Sequence, residues 1–124
     1  MSAQLACLAQ DVPLGGTFKI DLESDVGTVE VAVVRAEDGE LYAISDICSH
    51  GAVSLSDGEV EGSTIECWLH GSRFDLRTGR PTGLPAIRPV PVYPVTVDGD
   101  RVLVDVDAAA GETLNPDALT SKEI

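Results

Sequence analysis

Two short stretches decide how this chain can fold: Cys48-Ser49-His50-Gly51 and Cys67-Trp68-Leu69-His70-Gly71-Ser72. Each places a thiol and an imidazole within three residues of each other, and together they use both histidines of the chain. A cysteine and a histidine this close can point into one cavity only where the backbone reverses, and the glycine after each histidine permits that reversal. The two stretches therefore predict two tight loops that offer two sulfurs and two nitrogens to a metal.

The composition is that of a small acidic domain. The chain has 124 residues, 8 basic and 21 acidic side chains and a formal net charge of −13, which disfavours nucleic-acid binding. No apolar run approaches the roughly 20 residues of a membrane span, and the N-terminal stretch lacks the basic and apolar regions of a secretory signal. The sequence therefore predicts a cytoplasmic protein that does not bind a membrane.

Short valine-rich runs separated by Gly, Pro and Asp predict an all-β domain. Asp38-Gly39 lies between the runs 28–35 and 41–44, so a hairpin is expected there. The same reasoning predicts a second hairpin from the runs 92–97 and 102–106, which flank Asp98-Gly99-Asp100. The prolines at 89, 91 and 94 favour a sheet-edge position for its first strand.

Residues 46–90, between the hairpins, are too irregular for a simple meander and are interpreted as an inserted functional lobe. Residues 48–90 carry four basic and five acidic side chains, so most of the negative charge lies elsewhere. The three cysteines are odd in number, which argues against a disulfide framework. Cys7 follows Leu5 in a predicted first strand and is interpreted as a buried small hydrophobe.

The spacing Cys-x-His, 16 residues, Cys-x-x-His-Gly-Ser is similar to the Rieske [2Fe-2S] motif. The resemblance extends through residues 48–58 and 67–79, and most of the chain from about residue 3 to 106 resembles the small Rieske ferredoxins of bacterial aromatic-ring dioxygenase systems. It implies a Rieske-like fold of antiparallel sheets with a cluster-binding lobe. We expect a Rieske domain over residues 1–106 and a C-terminal tail over 107–124, where Asn115-Pro116-Asp117 begins either a short helix or a mobile tail.

The resemblance also implies the ligand arrangement. Cys48 and Cys67 would bind one iron of a single 2Fe-2S cluster, and His50 and His70 would bind the other iron, nearest the surface. Two ferric ions, two sulfides and two thiolates sum to zero charge, so an electron enters this centre more easily than one held by four thiolates.

Five further residues are expected to surround the cluster. Gly83-Leu84-Pro85-Ala86 resembles the family's proline loop, which covers the cluster, and Ser72 stands where a family serine can donate to a cluster sulfide. The surrounding set is Gly51, Gly71, Ser72, Phe74 and Pro85.

The sequence departs from the Rieske proteins of respiratory quinol-oxidising complexes. Those proteins have two additional cysteines and a tyrosine hydroxyl that bonds a ligand sulfur, whereas the matching positions here are Val53, Leu69 and Phe74. None of these side chains can form the disulfide or donate the hydrogen bond. The comparison excludes the quinol-oxidising role and implies a reduction potential in the lower part of the Rieske range.

The resulting hypothesis is a monomeric one-electron carrier between a flavin-dependent ferredoxin reductase and a terminal non-haem iron oxygenase. An oxygenase would need a further mononuclear iron held by two histidines and a carboxylate, and no histidine remains after His50 and His70. No glycine-rich nucleotide-binding turn is present either. The chain is therefore expected to lack a substrate site of its own and not to be an enzyme.

Two alternatives remain open. One is an electron-donating accessory of iron-sulfur cluster assembly or of an assimilatory reductase. The other is an interaction module built on structural zinc, since two cysteines and two histidines also satisfy a tetrahedral zinc site. A red-brown colour of the purified protein together with a Rieske-type EPR signal would exclude the zinc module.

The lobe has two further features with open interpretations. Trp68 either packs against the loops or forms part of a docking surface. The arginines of the lobe are either solvated or form a docking rim for acidic partners: Arg73, Arg77, Arg80 and Arg88.

Overall fold

A computed structural model describes residues 3–24, 27–47, 53–68, 71–82 and 89–106. These residues form antiparallel strands in three sheets, without an α-helix, and two short 3-10 turns at Ala9–Asp11 and Leu55–Asp57. The strands are β1 (Gln4–Leu8), β2 (Thr17–Ser24), β3 (Gly27–Arg35), β4 (Leu41–Ser45), β5 (Glu59–Glu61), β6 (Thr64–Glu66), β7 (Arg73–Asp75), β8 (Val92–Tyr93), β9 (Val95–Asp98) and β10 (Arg101–Val104). The predicted all-β class is confirmed. The described part contains no helix of the length and apolarity that a membrane crossing requires.

Two of the three sheets pack against opposite faces of the third, central sheet. The middle sheet has the order β2-β3-β4-β8, the base sheet the order β1-β10-β9, and the lobe sheet the order β5-β6-β7. Strand β3 is buried on both faces from Val31 to Val34. Because successive side chains of a strand point in opposite directions, these four side chains enter two different cores. Val31 and Val33 pack into a core shared with the base sheet, while Ala32 and Val34 pack into a second core shared with the lobe sheet.

Both predicted hairpins exist, but the second differs from the expectation. Strands β3 and β4 pair antiparallel across the Asp38-Gly39 turn, as predicted. Strands β9 and β10 also pair, with Gly99 at φ +67° in the turn. The single strand expected over 92–97 is wrong, because the chain changes sheets at Pro94: β8 pairs with β4 in the middle sheet, whereas β9 lies in the base sheet. A proline has no N–H for a continuous ladder, and both strands lie at sheet edges, as the prolines predicted.

The lobe is more regular than expected. Strands β5, β6 and β7 form a small three-stranded antiparallel meander, so the prediction that this region is too irregular for a meander is wrong for residues 59–75. Each strand is three residues long, too short to show a clear hydrophobic alternation. The expected tail over 107–124 lies outside the described residues, so its boundary and its conformation stay predictions.

Arg35 joins three segments at the end of the middle sheet. Its guanidinium donates to the carbonyl oxygens of Val12 (Nε, 2.7 Å), Ala9 (Nη2, 3.0 Å) and Gly39 (Nη1, 3.1 Å). The fixed planar fork of arginine suits three acceptors in different directions. The contact therefore fixes the connection from β1 to β2 against the β3–β4 turn.

The two ligand-bearing parts of the lobe are in direct backbone contact at Gly58. A Cβ atom at this position would lie 1.7 Å from the carbonyl oxygen of Glu66, the residue before Cys67. No side chain fits in that distance, so the close approach requires glycine. The turn that follows the first cysteine-histidine stretch is thereby held against the strand that leads into the second.

We expect Arg35→Lys to lower the free energy of unfolding by about 2 kcal/mol, because a lysine ammonium cannot satisfy three carbonyls at once. Urea unfolding of the apoprotein measures this change. Arg101→Lys is the matched control, since Arg101 is exposed and pairs with the exposed Asp98; its effect should stay below about 0.5 kcal/mol. Equal effects of the two substitutions would contradict the role given to Arg35.

Gly58→Ala should destabilise the apoprotein by at least about 2 kcal/mol, because backbone atoms must move to admit the methyl group. It should also lower the iron retained after purification. Gly62→Ala is the control: Gly62 has φ +61° and open space around its Cβ position, so its cost is the left-handed conformation alone, about 1 kcal/mol. A larger loss for Gly62→Ala than for Gly58→Ala would show that the close contact is unimportant.

Candidate metal centre

Cys67 is the predicted ligand that the structure describes. It follows β6 directly, is 1% exposed, and belongs to the core between the middle sheet and the lobe sheet, together with Ile65 and Phe74. The other three predicted ligands lie outside the described residues, as do two of the expected surrounding residues: Cys48, His50, His70, Gly51 and Pro85. The complete ligand set therefore stays a prediction.

The second loop, residues 67–72, is a closed reverse turn. Cys67 N donates to Ser72 O at 2.6 Å, and Gly71 N donates to Cys67 O at 2.9 Å. Gly71 has φ +76°, a left-handed conformation that other residues adopt only with strain. The backbone reversal predicted at this glycine is therefore confirmed, and it brings the residue after His70 back onto Cys67.

The first loop, residues 47–56, leaves and rejoins the fold at one place. Ile47 and Ser54 form an isolated antiparallel bridge, and Leu55 N donates to Asp46 O at 2.6 Å. The side chain of Asp46 accepts from Ser56 N at 2.8 Å. Cys48 thus begins a segment whose two ends are tied together by hydrogen bonds.

Ser72 and Phe74, which follow Cys67 in the chain, are both buried. Ser72 is 1% exposed in the second loop, and Phe74 on β7 is fully buried in the same core as Cys67. Phe74 pairs with Ile65 in the lobe sheet. The position that holds a tyrosine in quinol-oxidising proteins therefore has an apolar environment and no hydroxyl group of its own.

Two large apolar side chains beside the predicted cysteine ligands are exposed. Trp68 is 55% exposed and Ile47 is 39% exposed, although each is a chain neighbour of a predicted ligand. Packing against the loops therefore does not hide Trp68. Exposed indole surface of this size is typical of a contact surface.

The two arginines of β7 and its following turn are engaged in ion pairs. Arg73 lies 2.8 Å from Glu61 and 3.6 Å from Glu66, and Arg77 lies 3.4 Å from Asp75. The hydrogen bond and charge of Asp75 raise the pKa of Arg77. These pairs favour a structural role for Arg73 over a free docking charge; Arg88 lies outside the described residues.

The thiols of the described residues differ in environment. Cys7 is buried in the core of the base sheet, on the other side of the middle sheet from Cys67, and burial raises the pKa of its thiol. Its predicted role as a small hydrophobe is confirmed by this packing. Cys67 instead lies at the start of a closed turn, where its sulfur forms no disulfide. A buried cysteine at the start of a closed turn suits the role of a sulfur ligand to an iron-sulfur cluster.

Comparisons with known proteins agree with this assignment. Residues 2–94 match the family model described as the Rieske [2Fe-2S] domain. The chain is 40% identical over 110 residues to the 3-phenylpropionate/cinnamic acid dioxygenase ferredoxin subunit of Shigella boydii, which covers 88% of this chain and 98% of that protein.

Solved structures show the same similarity. The ferredoxin of carbazole 1,9a-dioxygenase from Nocardioides aromaticivorans matches with a TM-score of 0.76 and 38% identity, over 85% of this chain and 98% of that one. A complex of reduced oxygenase and oxidized ferredoxin in carbazole 1,9a-dioxygenase contains a chain that matches with a TM-score of 0.71 and 37% identity, over 82% of this chain and 99% of that one. The protein therefore belongs to the Rieske [2Fe-2S] domain family, whose cofactor is a Rieske-type 2Fe-2S cluster.

Proposed function

We propose that this protein is a one-electron carrier that receives electrons from a flavin-dependent ferredoxin reductase and delivers them to a terminal non-haem iron oxygenase. The observation that carries the proposal is the second loop, in which a buried cysteine and an exposed tryptophan are neighbours in a closed turn. The names of the similar proteins support it, since they are ferredoxins of aromatic dioxygenase systems and one was solved in a complex with its oxygenase.

The proposed ligands are Cys48 and Cys67 for one iron and His50 and His70 for the other. When bound, a cluster of this type accepts and releases one electron at a time. The protein holds the ligands in position, and the closed turn of the second loop limits the movement of Cys67. We propose that Ser72, Gly51 and Pro85 complete the surroundings, with Ser72 as a hydrogen-bond donor.

Partner docking is proposed to occur through the exposed apolar side chains beside the ligands. Trp68 and Ile47 provide contact area that contributes free energy when a partner removes it from water. Residues 48–90 are nearly neutral, with four basic and five acidic side chains, whereas the rest of the chain carries most of the −13 charge. Such an arrangement favours short-range apolar contact with a partner at the lobe. The acidic residues in the rest of the chain would orient the approaching partner at long range.

The carrier has no substrate chemistry in this proposal. Both histidines of the chain are assigned to the cluster, so no histidine is left for a mononuclear iron site of an oxygenase. The similar proteins are ferredoxin subunits, which supports a non-catalytic role. The cytoplasmic location and the monomeric state stay predictions.

Alanine at Cys48, His50, Cys67 or His70 should remove at least about nine-tenths of the cluster, because each residue supplies one of only four protein bonds. Iron and acid-labile sulfide analysis and EPR of the purified variants measure the loss. Cys7→Ala is the matched control and should keep the cluster, since Cys7 lies in the base core. A cluster retained in His70→Ala, or a colourless wild-type protein that contains zinc, would overturn the assignment.

Trp68→Ala should slow reduction by the cognate reductase and electron transfer to the oxygenase at least fivefold in stopped-flow experiments, because the docking contact is lost. Cluster content and reduction potential must stay unchanged for this interpretation. Val97→Ala removes an apolar side chain that is 50% exposed on β9 of the base sheet and should leave both rates unaltered. If Val97→Ala or Asp98→Lys slows transfer more than Trp68→Ala does, the docking surface lies on the base instead.

A further inference from the structure

Asp46 combines a charge with complete burial. Its exposure is 0%, and it is the one ionisable carboxylate that is buried in the part of the chain the structure describes. It lies directly after β4, at the start of the first loop and two residues before Cys48. A carboxylate is costly to bury, so its retention calls for a physical explanation.

Three hydrogen bonds make Asp46 the anchor of the first loop. Its backbone N–H donates to Glu30 O at 2.9 Å, its carbonyl accepts from Leu55 N, and Oδ1 accepts from Ser56 N at 2.8 Å. The residue therefore links β3 to both ends of the loop that carries Cys48. A change in the side chain acts on the end of that loop through Ser56.

The other carboxylate oxygen is weakly compensated. Oδ2 accepts no hydrogen bond from any described group, and the nearest cation, Lys19 Nζ, is 4.0 Å away. Lys19 is half-exposed and is held more closely by Glu30, at 3.1 Å. The pKa of Lys19 is raised, chiefly by its hydrogen bond to Glu30, with smaller contributions from the charges of Glu30, Asp46 and Asp21. The Lys19 ammonium therefore stays charged, but it interacts more closely with Glu30 than with Asp46.

We propose that Asp46 is a positioning residue for the first ligand loop and that its buried charge, partly offset by Lys19, lowers the reduction potential of the cluster. The inference rests on the ligand assignment made above. Two residues of chain span at most about 7 Å between Cα atoms, so the backbone of Asp46 lies within that distance of the backbone of the proposed ligand Cys48. A fixed negative charge in an interior of low dielectric disfavours the arrival of an electron, whereas a nearby cation favours it.

The charge effect is tested by two substitutions with opposite expected signs. Asp46→Asn keeps the acceptor for Ser56 N but removes the charge, and it should raise the equilibrium constant for reduction about three- to tenfold. At about 59 mV per tenfold for one electron, this corresponds to about 28 to 59 mV. Lys19→Met leaves the Asp46 charge less compensated and should lower the constant about twofold or more. Protein-film voltammetry at constant salt measures both.

Asp57→Asn is the matched control. Asp57 is an exposed carboxylate in the turn that follows the first loop, so water screens its charge. Its substitution should change the constant by less than about 1.5-fold.

A purely structural role of Asp46 would shift the potentials of Asp46→Asn and Lys19→Met in no consistent sense. Shifts of the same sign, or no shift in Lys19→Met, overturn the inference.

The positioning role has its own readout. Asp46→Ala removes the acceptor for Ser56 N that Asp46→Asn retains, so a chelator should extract iron several-fold faster from the alanine variant. Equal rates of iron release overturn this part of the inference. Should Asp46→Asn fail to fold, a Lys19→Met variant whose constant is not lowered still overturns the charge effect, because Lys19 is the cation nearest Oδ2. A wild-type protein without a Rieske EPR signal refutes the proposed function, whereas a normal signal without opposite shifts refutes only this inference.

Discussion

The two-sided burial of β3 is the constraint on which the other elements depend. A strand with apolar side chains on both faces needs a layer on each side, and its period of two divides Val31 and Val33 from Ala32 and Val34. The neighbouring strands follow the same rule, since Ala43 and Tyr93 face the base while Ile44 and Val92 face the lobe. The middle sheet therefore fixes the lobe and the base relative to a common plane.

The positions of the two loops that contain the proposed ligands, residues 47–56 and 67–72, depend on this sheet. The first loop begins where β4 ends, and Asp46 ties it to β3 through Glu30. The second loop begins where β6 ends, and Gly58 holds that strand against the end of the first loop. Cys67 is at once a member of the lobe core and the start of a closed turn. The packing that stabilises the lobe therefore also determines where the sulfur of this proposed ligand lies.

Local signals in the sequence were sufficient for some of these features. Asp38-Gly39 and Asp98-Gly99 predicted both turns, and the glycine at 71 predicted a reversal, because each depends on backbone preferences of a few adjacent residues. Strand β2 was missed although Phe18, Ile20 and Leu22 alternate with Lys19, Asp21 and Glu23. The contact of Gly58 with Glu66, the burial of Asp46 and the change of sheet at Pro94 depend on partners distant in sequence, so no local pattern encodes them.

The pairing of β4 with β8 also has an entropic consequence. Ser45 N donates to Pro91 O at 3.0 Å, so the entry and the exit of the lobe are joined within one sheet. Closing a flexible loop of roughly 45 residues costs about 3 kcal/mol, and the β4–β8 pairing offsets this cost without a contribution from any metal ligand. The proposed metal ligands therefore lie in a segment whose ends the sheet joins, which leaves the free energy of the metal-ligand bonds for holding the metal.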